Sequence, residues 1–179
     1  EAVELEEHLS RVASLCLGIG SRLSLDDKTR AALVQAALVH DLGKLAVPRD
    51  LLMKPSALTR EEQPVMRGHV SAGVQLLRAF GVSGAVVGVV AAHHERWDGT
   101  GYPAGLAGEA IPLEARILAV ADAYEAMTAG RPYHAPRSPG EALAELRRQA
   151  GSQFDPRCVQ ACFLELAATQ EPAESTASA

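Results

Sequence analysis

A chain of 179 residues is long enough for one ordinary hydrophobic core, and it contains no apolar run that approaches the roughly 20 residues needed to cross a bilayer. Aromatic residues make up only 4% of the chain, whereas Ala, Leu and Val are abundant, which favours closely packed helices over a β-sandwich or barrel. The net charge of -5 excludes an extended surface for polyanions, so any phosphate group must be bound at a local site.

Helical spacing of apolar residues predicts an all-α fold. Helices are expected at residues 1–21, about 25–41, about 60–80, 83–94 and 113–128, followed by two more that start at Pro139 and Pro156. Capping signals are expected from Ser24 with Asp27, Thr59 with Glu62, Ser138 with Glu141, and Asp155. The β-branched run at 83–94 also fits a buried strand, but its length and the lack of a partner strand favour a helix.

Two segments that contain Gly and Pro are predicted to lack long helices. Residues 43–56 are expected to form a loop or a single turn, and residues 95–112 a long loop of the kind that usually carries function. From Thr169 onward, small and polar residues predict a disordered tail. The three cysteines lack the spacing of a disulfide framework or of a complete metal site, so we expect them to be reduced and buried. They are Cys16, Cys158 and Cys162.

Ionisable residues recur at the ends or on the buried faces of five apolar segments. They are Glu4, His8, His40, Asp41, His69, His93, His94 and Asp122. Because burying an unpaired carboxylate costs several kcal/mol, five imidazoles and three carboxylates in a core require compensating cations. The repetition of the pattern therefore predicts a metal site.

Taken singly, each of these residues also has a non-catalytic interpretation. A lone histidine on an apolar face is more often a hydrogen-bonded core residue than a metal ligand. Glu4 and His8, four residues apart, could form a solvent-exposed pair on one helix. Asp41 could cap the turn that follows it. Asp122 could instead pair with an arginine, either Arg116 or Arg131.

The donor set also indicates which metal and which chemistry to expect. Imidazoles and carboxylates without thiolates suit iron or manganese, and eight ligands imply two or three ions. Such a centre keeps a net positive charge that can hold an anionic phosphate in a protein of negative net charge. The expected chemistry is metal-assisted phosphoester hydrolysis, in which a hydroxide bridging the metals attacks phosphorus.

The order of these residues and of the sequence around them matches a known family pattern. The matching segments are HDLGK at 40–44, residues 54–59, His69 with Gly73, HHERWDGTGYP at 93–103, residues 105–109 and 111–117, Asp122, residues 131–133 and residues 151–156. Together they resemble the HD-GYP family of the HD-domain phosphohydrolases. The resemblance runs from about residue 8 to residue 163, and its long central motif is highly specific.

The resemblance implies a compact multi-helix HD fold with a long Gly- and Pro-rich loop, and hydrolysis of the bacterial second messenger cyclic di-GMP to linear pGpG and then GMP. It places all eight ionisable residues on metal-ligand positions, with Glu4 as the extra carboxylate of members with a third metal. Lys44 falls on the lysine that contacts the scissile phosphate, and Arg131 on a position that binds substrate phosphate. The Gly101-Tyr102-Pro103 loop is associated in the family with the active-site rim, where Tyr102 is expected to contact substrate, and with contacts to diguanylate cyclase (GGDEF) domains.

Three features set this chain apart from the family pattern. His134 stands beside the substrate where members more often have Lys or Arg, so phosphate binding is expected to be weaker or to depend on pH. Glu125 replaces the usual Asp, which could loosen the surroundings of Asp122. Glu4 lies near the start of the chain, where helices fray, so a third metal is less secure than two.

Residues 1–168 are expected to form the catalytic domain and residues 169–179 the tail. The resemblance also suggests a cytoplasmic location, an upstream sensor domain and a homodimer. Two alternative functions stay open. One is a catalytically weak cyclic-dinucleotide receptor or partner-binding module, which His134 would favour. The other is a phosphodiesterase for another cyclic dinucleotide such as cyclic GMP-AMP.

Overall fold

The computed structural model of the chain describes residues 2–129 and 135–170, with side chains described for residues 6–129 and 135–169. Within these ranges the regular structure is helical and no strand is formed, which confirms the predicted all-α fold. The helices are α1 (Ala2–Arg22), α2 (Asp27–Val39), α3 (Arg49–Leu52), α4 (Glu62–Ala79), α5 (Gly84–Ala92), α6 (Leu113–Thr128), α7 (Pro139–Arg148) and α8 (Pro156–Gln170), with 3-10 segments at Leu42–Ala46 and Gly108–Ala110.

The start of α2 differs from the sequence prediction. Asp26 caps this helix, because its side chain accepts a hydrogen bond of 2.9 Å from the backbone N–H of Thr29. The predicted cap by Ser24 with Asp27 is wrong, since Ser24 takes a left-handed φ of 58° in the turn that ends α1. The helix also ends at Val39, two residues earlier than expected, so that a His-Asp pair follows it in a turn.

Other predicted helix starts are confirmed. Thr59 and Glu62 exchange backbone-to-side-chain bonds of 3.3 and 2.8 Å just ahead of α4, and Ser138 forms a complete capping box with Glu141 at α7. The ambiguous run at 83–94 forms a helix, α5, whose first turn is capped by the Ser83 side chain. The segment 43–56, by contrast, holds a 3-10 segment and the short α3 rather than one turn.

The core is built around α6, which packs against α1, α2, α5, α7 and α8. Its residues Ile117, Leu118, Val120 and Ala121 are fully buried. The short α5 is buried on nearly all sides because it lies between α2, α4 and α6. A helix that is apolar all round is stable only in such a position, which explains why the valine-rich run is not a surface element.

Three further expectations concern the cysteines, the tail and the membrane. All three cysteines are free and buried, as predicted. Helix α8 continues to Gln170, and residues 171–179 of the predicted tail lie outside the described residues, so the division into domain and tail stays a prediction. None of the helices described is long and apolar enough to cross a membrane.

Candidate metal centre

Seven histidine and aspartate side chains converge in two adjacent groups in the interior of the helical bundle. Within each group, one potential ligand atom from every residue lies within 4.8 Å of the others. The first group consists of Asp41, His69, His93 and His94, and the second of His8, His40 and Asp122. The neighbours His40 and Asp41 contribute to different groups, and the contact of 3.4 Å between His40 Nε2 and Asp41 Oδ2 places the two groups side by side.

Each group draws on several elements. His40 and Asp41 occupy the turn after α2, and His93 and His94 occupy the turn after α5. The remaining three residues come from helix interiors: His8 from α1, His69 from α4 and Asp122 from α6. Because these segments are far apart in sequence, the centre exists only when the core has assembled.

Glycine at position 43 allows the turn after α2 to approach α4 closely. A Cβ at this position would lie 1.9 Å from the carbonyl oxygen of His69 and 2.4 Å from the backbone nitrogen of Gly73. Both of these are backbone atoms, which cannot move aside without shifting the helix. The absence of a side chain at Gly43 therefore brings Asp41 within reach of His69.

Three buried histidines are held in the same tautomer. The Nδ1 atoms of His40, His69 and His93 donate to backbone carbonyls three residues earlier, at 2.8, 2.7 and 2.6 Å. Because a carbonyl can only accept, the proton of each neutral ring is on Nδ1 and the lone pair on Nε2. This arrangement is the usual way in which a protein orients histidine ligands toward a metal.

The atoms that face inward lack ordinary partners. Four buried atoms have no hydrogen-bond partner in the described part of the chain, namely His40 Nε2, Asp41 Oδ1, His69 Nε2 and His93 Nε2. The Nε2 atoms of His40 and His69 lie 3.4 and 3.6 Å from the two oxygens of Asp41, and His8 Nε2 lies 3.3 Å from Asp122 Oδ1. Such spacings leave room for an ion between the donors, so the residues fit divalent metal ions.

The protonation states suit metal binding. Burial lowers the pKa of His93 to about 3 and that of His94 to about 4, and neighbouring histidines add to both shifts. Burial alone would raise the pKa of Asp41 and Asp122, but contacts with His40 and His8 lower it in both cases. His93 and His94 are therefore neutral and Asp41 and Asp122 are ionised, which are the forms that ligate metals.

His40 behaves differently from the other buried rings. Burial lowers its pKa, but the neighbouring Asp41 and Asp122 outweigh that effect and raise it. Its Nε2 lies 3.8 Å from Asp122 Oδ1 in addition to its contact with Asp41. The carboxylates of Asp41 and Asp122 thus favour a positive charge beside His40 Nε2. Either a proton on this atom or a bound metal ion can supply that charge.

The remaining predicted site residues divide into two sets. The ammonium group of Lys44 contacts Asp41 Oδ2, and the ring of Tyr102 stacks on His94 with centroids 4.9 Å apart. Arg131 and His134 lie outside the described residues. Glu4 belongs to α1 by its backbone, but its side chain is not among those described.

Two of the non-catalytic interpretations of the aspartates do not hold, and the third, pairing of Asp122 with Arg131, involves a residue outside those described. Asp41 makes no side-chain capping bond to the 3-10 segment that follows it. Asp122 contacts His8, whereas Arg116 donates to Asp155 at 2.7 Å. Both carboxylates instead lie against histidines of the two groups.

Two further residues support the centre in a way that the sequence did not indicate. Glu95, the residue after His94, is buried and accepts three backbone N–H bonds of 2.7–3.1 Å from residues 104–106. The only signal was a carboxylate next to a His-His pair in a Gly-rich loop. Glu125, the departure from the family pattern, accepts a 2.8 Å bond from Arg11 Nε and so ties α6 to α1 near His8.

Comparison with known proteins assigns the chain to a family. The family model described as HD domain matches residues 1–158. The chain belongs to this family. Its relatives and its central motif place it in the HD-GYP group, which confirms the resemblance drawn from the sequence.

Curated relatives match over much of this chain. The cyclic di-GMP phosphodiesterase response regulator RpfG of Xanthomonas campestris pv. campestris is 46% identical, with 87% of this chain and 41% of that protein covered. The 3'3'-cGAMP-specific phosphodiesterase 2 of Vibrio cholerae is 35% identical, with 88% of this chain and 30% of that protein covered. The chain thus spans less than half the length of these relatives.

A solved structure shows the same fold. Bd1817, an HDG"Y"P protein from Bdellovibrio bacteriovorus, superimposes with a TM-score of 0.74 at 21% identity. The match covers 91% of this chain and 52% of that one. This similarity supports the assignment of the helical architecture.

Proposed function

We propose that the chain is a metal-dependent phosphodiesterase that hydrolyses cyclic di-GMP to linear pGpG, with GMP as a further product. The observation that carries the proposal is the convergence of four buried, unpartnered donor atoms within two adjacent groups of histidines and aspartates. Buried polar atoms without partners are costly, and bound metal ions would remove that cost here. The relatives named as cyclic di-GMP phosphodiesterases support the choice of substrate.

The two groups would each hold one divalent ion, with iron or manganese preferred because no thiolate takes part. Glu4, in the first turn of α1, is the candidate for the extra carboxylate of a third ion. Bound divalent ions would supply Lewis-acid activation of the phosphoryl group and a nucleophile at neutral pH. The Nδ1–H bonds of His40, His69 and His93 keep these rings oriented for that task.

Other residues of the chain act on the substrate. Lys44 places an ammonium group beside Asp41, where it can stabilise negative charge that develops on the scissile phosphate. Arg131 is proposed to bind substrate phosphate through its planar guanidinium, and His134 to contribute a charge that varies with pH. Tyr102 shapes the rim beside His94.

The comparisons also support 3'3'-cGAMP as a second candidate substrate. Relatives named as 3'3'-cGAMP-specific phosphodiesterases are 35–39% identical to this chain, which overlaps the identity of those named for cyclic di-GMP. The histidines and aspartates would hold metal ions that activate a phosphodiester, and both molecules contain that group. Base selectivity is therefore the point at which the two candidates differ.

The proposal includes several features implied by the resemblance. They are a cytoplasmic location, contact of the 101–103 loop with GGDEF domains, a homodimer, an upstream sensor domain, and the division into a catalytic domain (1–168) and a tail (169–179).

The decisive experiment combines metal analysis with product analysis. Protein purified without oxygen and reconstituted with Fe²⁺ or Mn²⁺ is incubated with cyclic di-GMP and 3'3'-cGAMP at equal concentrations, and the products are separated by chromatography. We expect about two metal ions per chain and faster formation of pGpG than of the linear cGAMP product. Asp41→Ala should remove turnover, while Asp50→Ala, at an exposed position of α3, should not.

Three outcomes would contradict the proposal. Protein that cannot be loaded with metal would remove its basis. Metal-replete protein that leaves both substrates intact but binds them tightly would favour the receptor function. Preferential opening of 3'3'-cGAMP would keep the chemistry and change the substrate.

A further inference from the structure

The metal centre has a buried side and an exposed side. His40, His69 and His93 are only 1–3% exposed, so no substrate reaches the ions past these rings. His94 and Tyr102, by contrast, are partly exposed, the Lys44 side chain is 40% exposed, and His8 and Asp122 are also partly exposed. A phosphodiester therefore approaches from the side that carries these residues.

Arg67 lies on this exposed side. It precedes His69 by two residues in α4, and its side chain is exposed. Its guanidinium carbon lies 4.8 Å from the centroid of the Tyr102 ring, and that ring stacks on His94 at an interplanar angle of 27°. Cation–π contact thus holds the guanidinium one ring away from a proposed metal ligand.

The guanidinium is not neutralised by a carboxylate. Within the described ranges, Arg67 makes no hydrogen bond or ion pair, whereas Arg96 and Arg116 each pair with an aspartate at 2.9 Å or less. The contact with the ring therefore leaves the charge and the five N–H donors of Arg67 available to a ligand.

The substrate supplies a matching anion. A cyclic dinucleotide carries two phosphodiester groups, and only one of them is cleaved in a given step. The other keeps its charge beside a protein whose net charge is -5, so it needs a local cation. A planar guanidinium can bind two oxygens of one phosphate, which a single ammonium does less well.

We propose that Arg67 binds the phosphate of the cyclic dinucleotide that is not being cleaved, and that Tyr102 positions it for this contact. The inference rests on the proposed function and adds a substrate-positioning residue to it. It gives the Tyr102 ring a supporting role, which accounts for its contacts with both Arg67 and His94.

The test compares two arginines of the same helix. Arg67→Gln removes the charge, Arg67→Lys keeps it without the fork, and Arg78→Ala alters an exposed arginine in the last turn of α4 as the matched control. Binding of a phosphorothioate analogue of cyclic di-GMP, which resists hydrolysis, is measured by calorimetry on metal-loaded protein. Turnover is measured with cyclic di-GMP and with bis(p-nitrophenyl) phosphate, which has only one phosphodiester.

Loss of a charge-assisted bond predicts a Kd and a KM that rise about tenfold or more in Arg67→Gln, with kcat changed less than about threefold. Arg67→Lys should recover part of the loss. Hydrolysis of bis(p-nitrophenyl) phosphate, the metal content and the behaviour of Arg78→Ala should stay as in the unmodified chain.

The inference is overturned if Arg67→Gln binds the analogue as tightly as the unmodified chain does. It is also overturned if both substrates, or the metal content, are affected equally, because the residue would then be structural. Unmodified, metal-loaded protein that neither binds nor cleaves a cyclic dinucleotide would overturn the proposed function as well, so the two failures are distinguishable.

Discussion

Three consecutive residues have different tasks because their surroundings differ. His93 is 3% exposed and bonds to a carbonyl through Nδ1, while His94 faces the exposed side and supports Tyr102. Glu95 is buried and accepts hydrogen bonds from the backbone N–H groups of residues 104–106. The loop is thereby fixed to the same turn that carries two proposed metal ligands.

Replacing Glu95 by Gln should release this loop. The Gln side chain keeps one carbonyl oxygen, but its amide N–H₂ faces backbone N–H groups that also donate. Because hydrogen bonds to a charged acceptor contribute about 1.5–3 kcal/mol each, we expect the free energy of unfolding to fall by about 2 kcal/mol. That corresponds to a Tm lower by about 4–8 °C, measured by calorimetry.

Glu109→Gln provides the matched control. Glu109 lies in the same loop, is exposed, and makes no side-chain hydrogen bond in the part of the chain described. Its replacement should change Tm by less than about 1 °C, as expected for a surface substitution. Equal effects of the two substitutions would show that the three bonds of Glu95 do not hold the loop.

At the scale of elements, the centre depends on how closely the turn after α2 approaches α4. Gly43→Ala would force a methyl group against the backbone of His69 and Gly73. We expect a loss of about 1–3 kcal/mol in the free energy of unfolding, together with weaker metal binding because Asp41 and His69 move apart. Chemical denaturation and elemental analysis measure the two effects.

The same substitution one residue before His69 should have the opposite effect on stability. A Cβ at Gly68 would meet no atom of the described residues within 4 Å, and this glycine is inside α4. Gly68→Ala should therefore stabilise the chain by about 0.5–1 kcal/mol and leave the metal content unchanged. If Gly43→Ala behaved like Gly68→Ala, close approach at position 43 would not matter.

The cysteines report on the packing of α8 against α1. Burial raises the pKa of Cys158 and Cys162 to about 12 and also raises that of Cys16. The native chain should therefore resist alkylation by iodoacetamide at pH 8 and react at three positions only after denaturation. Mass spectrometry counts the labels, and rapid labelling of the native chain would contradict the burial.

The pH dependence of stability follows from the same shifts. The folded thiols bind their protons more tightly than unfolded thiols, whose pKa is near 9. Their contribution to stability is complete below that value and falls as the pH rises from about 9 toward 12. In denaturation series over pH 8.5–10.5, replacing Cys162 by Ala should reduce this decline. An unchanged slope would show that Cys162 does not contribute to it.

The elements that the sequence predicted best are those whose signals are local. The limits of α6 agree with the predicted 113–128, and the capping boxes lie where a side chain can reach its own helix start. The cap of α2 was missed because Asp26 and Ser24 are both good caps, and only the φ of Ser24 distinguishes them.

In the candidate site, too, the sequence indicated the local features but not the contacts between distant helices. Residue type and helical position indicated which histidines and aspartates meet, since buried ionisable groups need one another. The contacts of Arg67 with Tyr102 and of Arg11 with Glu125 join residues that are 35 and 114 positions apart. Such contacts depend on how helices pack, and the apolar pattern of one segment does not contain that information.

At the scale of the whole molecule, the two histidine–aspartate groups connect α1, α4 and α6 with the turns that follow α2 and α5. Metal ions bound there would hold the folded chain together and have no comparable site in the unfolded chain. At a free concentration one hundred times Kd, each ion would stabilise the fold by about 2.7 kcal/mol. Removing the ions with a chelator should therefore lower Tm by about 5–10 °C for each site.

A variant of the second group shows how much each of the two sites contributes to the loss of Tm on chelation. His8→Ala removes a residue of the group with His40 and Asp122 but leaves the first group complete. The variant should bind about one ion fewer, and the chelator should lower its Tm by about half as much as in the unmodified chain, because one metal site remains to stabilise the fold. Differential scanning calorimetry with elemental analysis before and after chelation measures both quantities. If the ions are lost without any change in Tm, they do not link these helices.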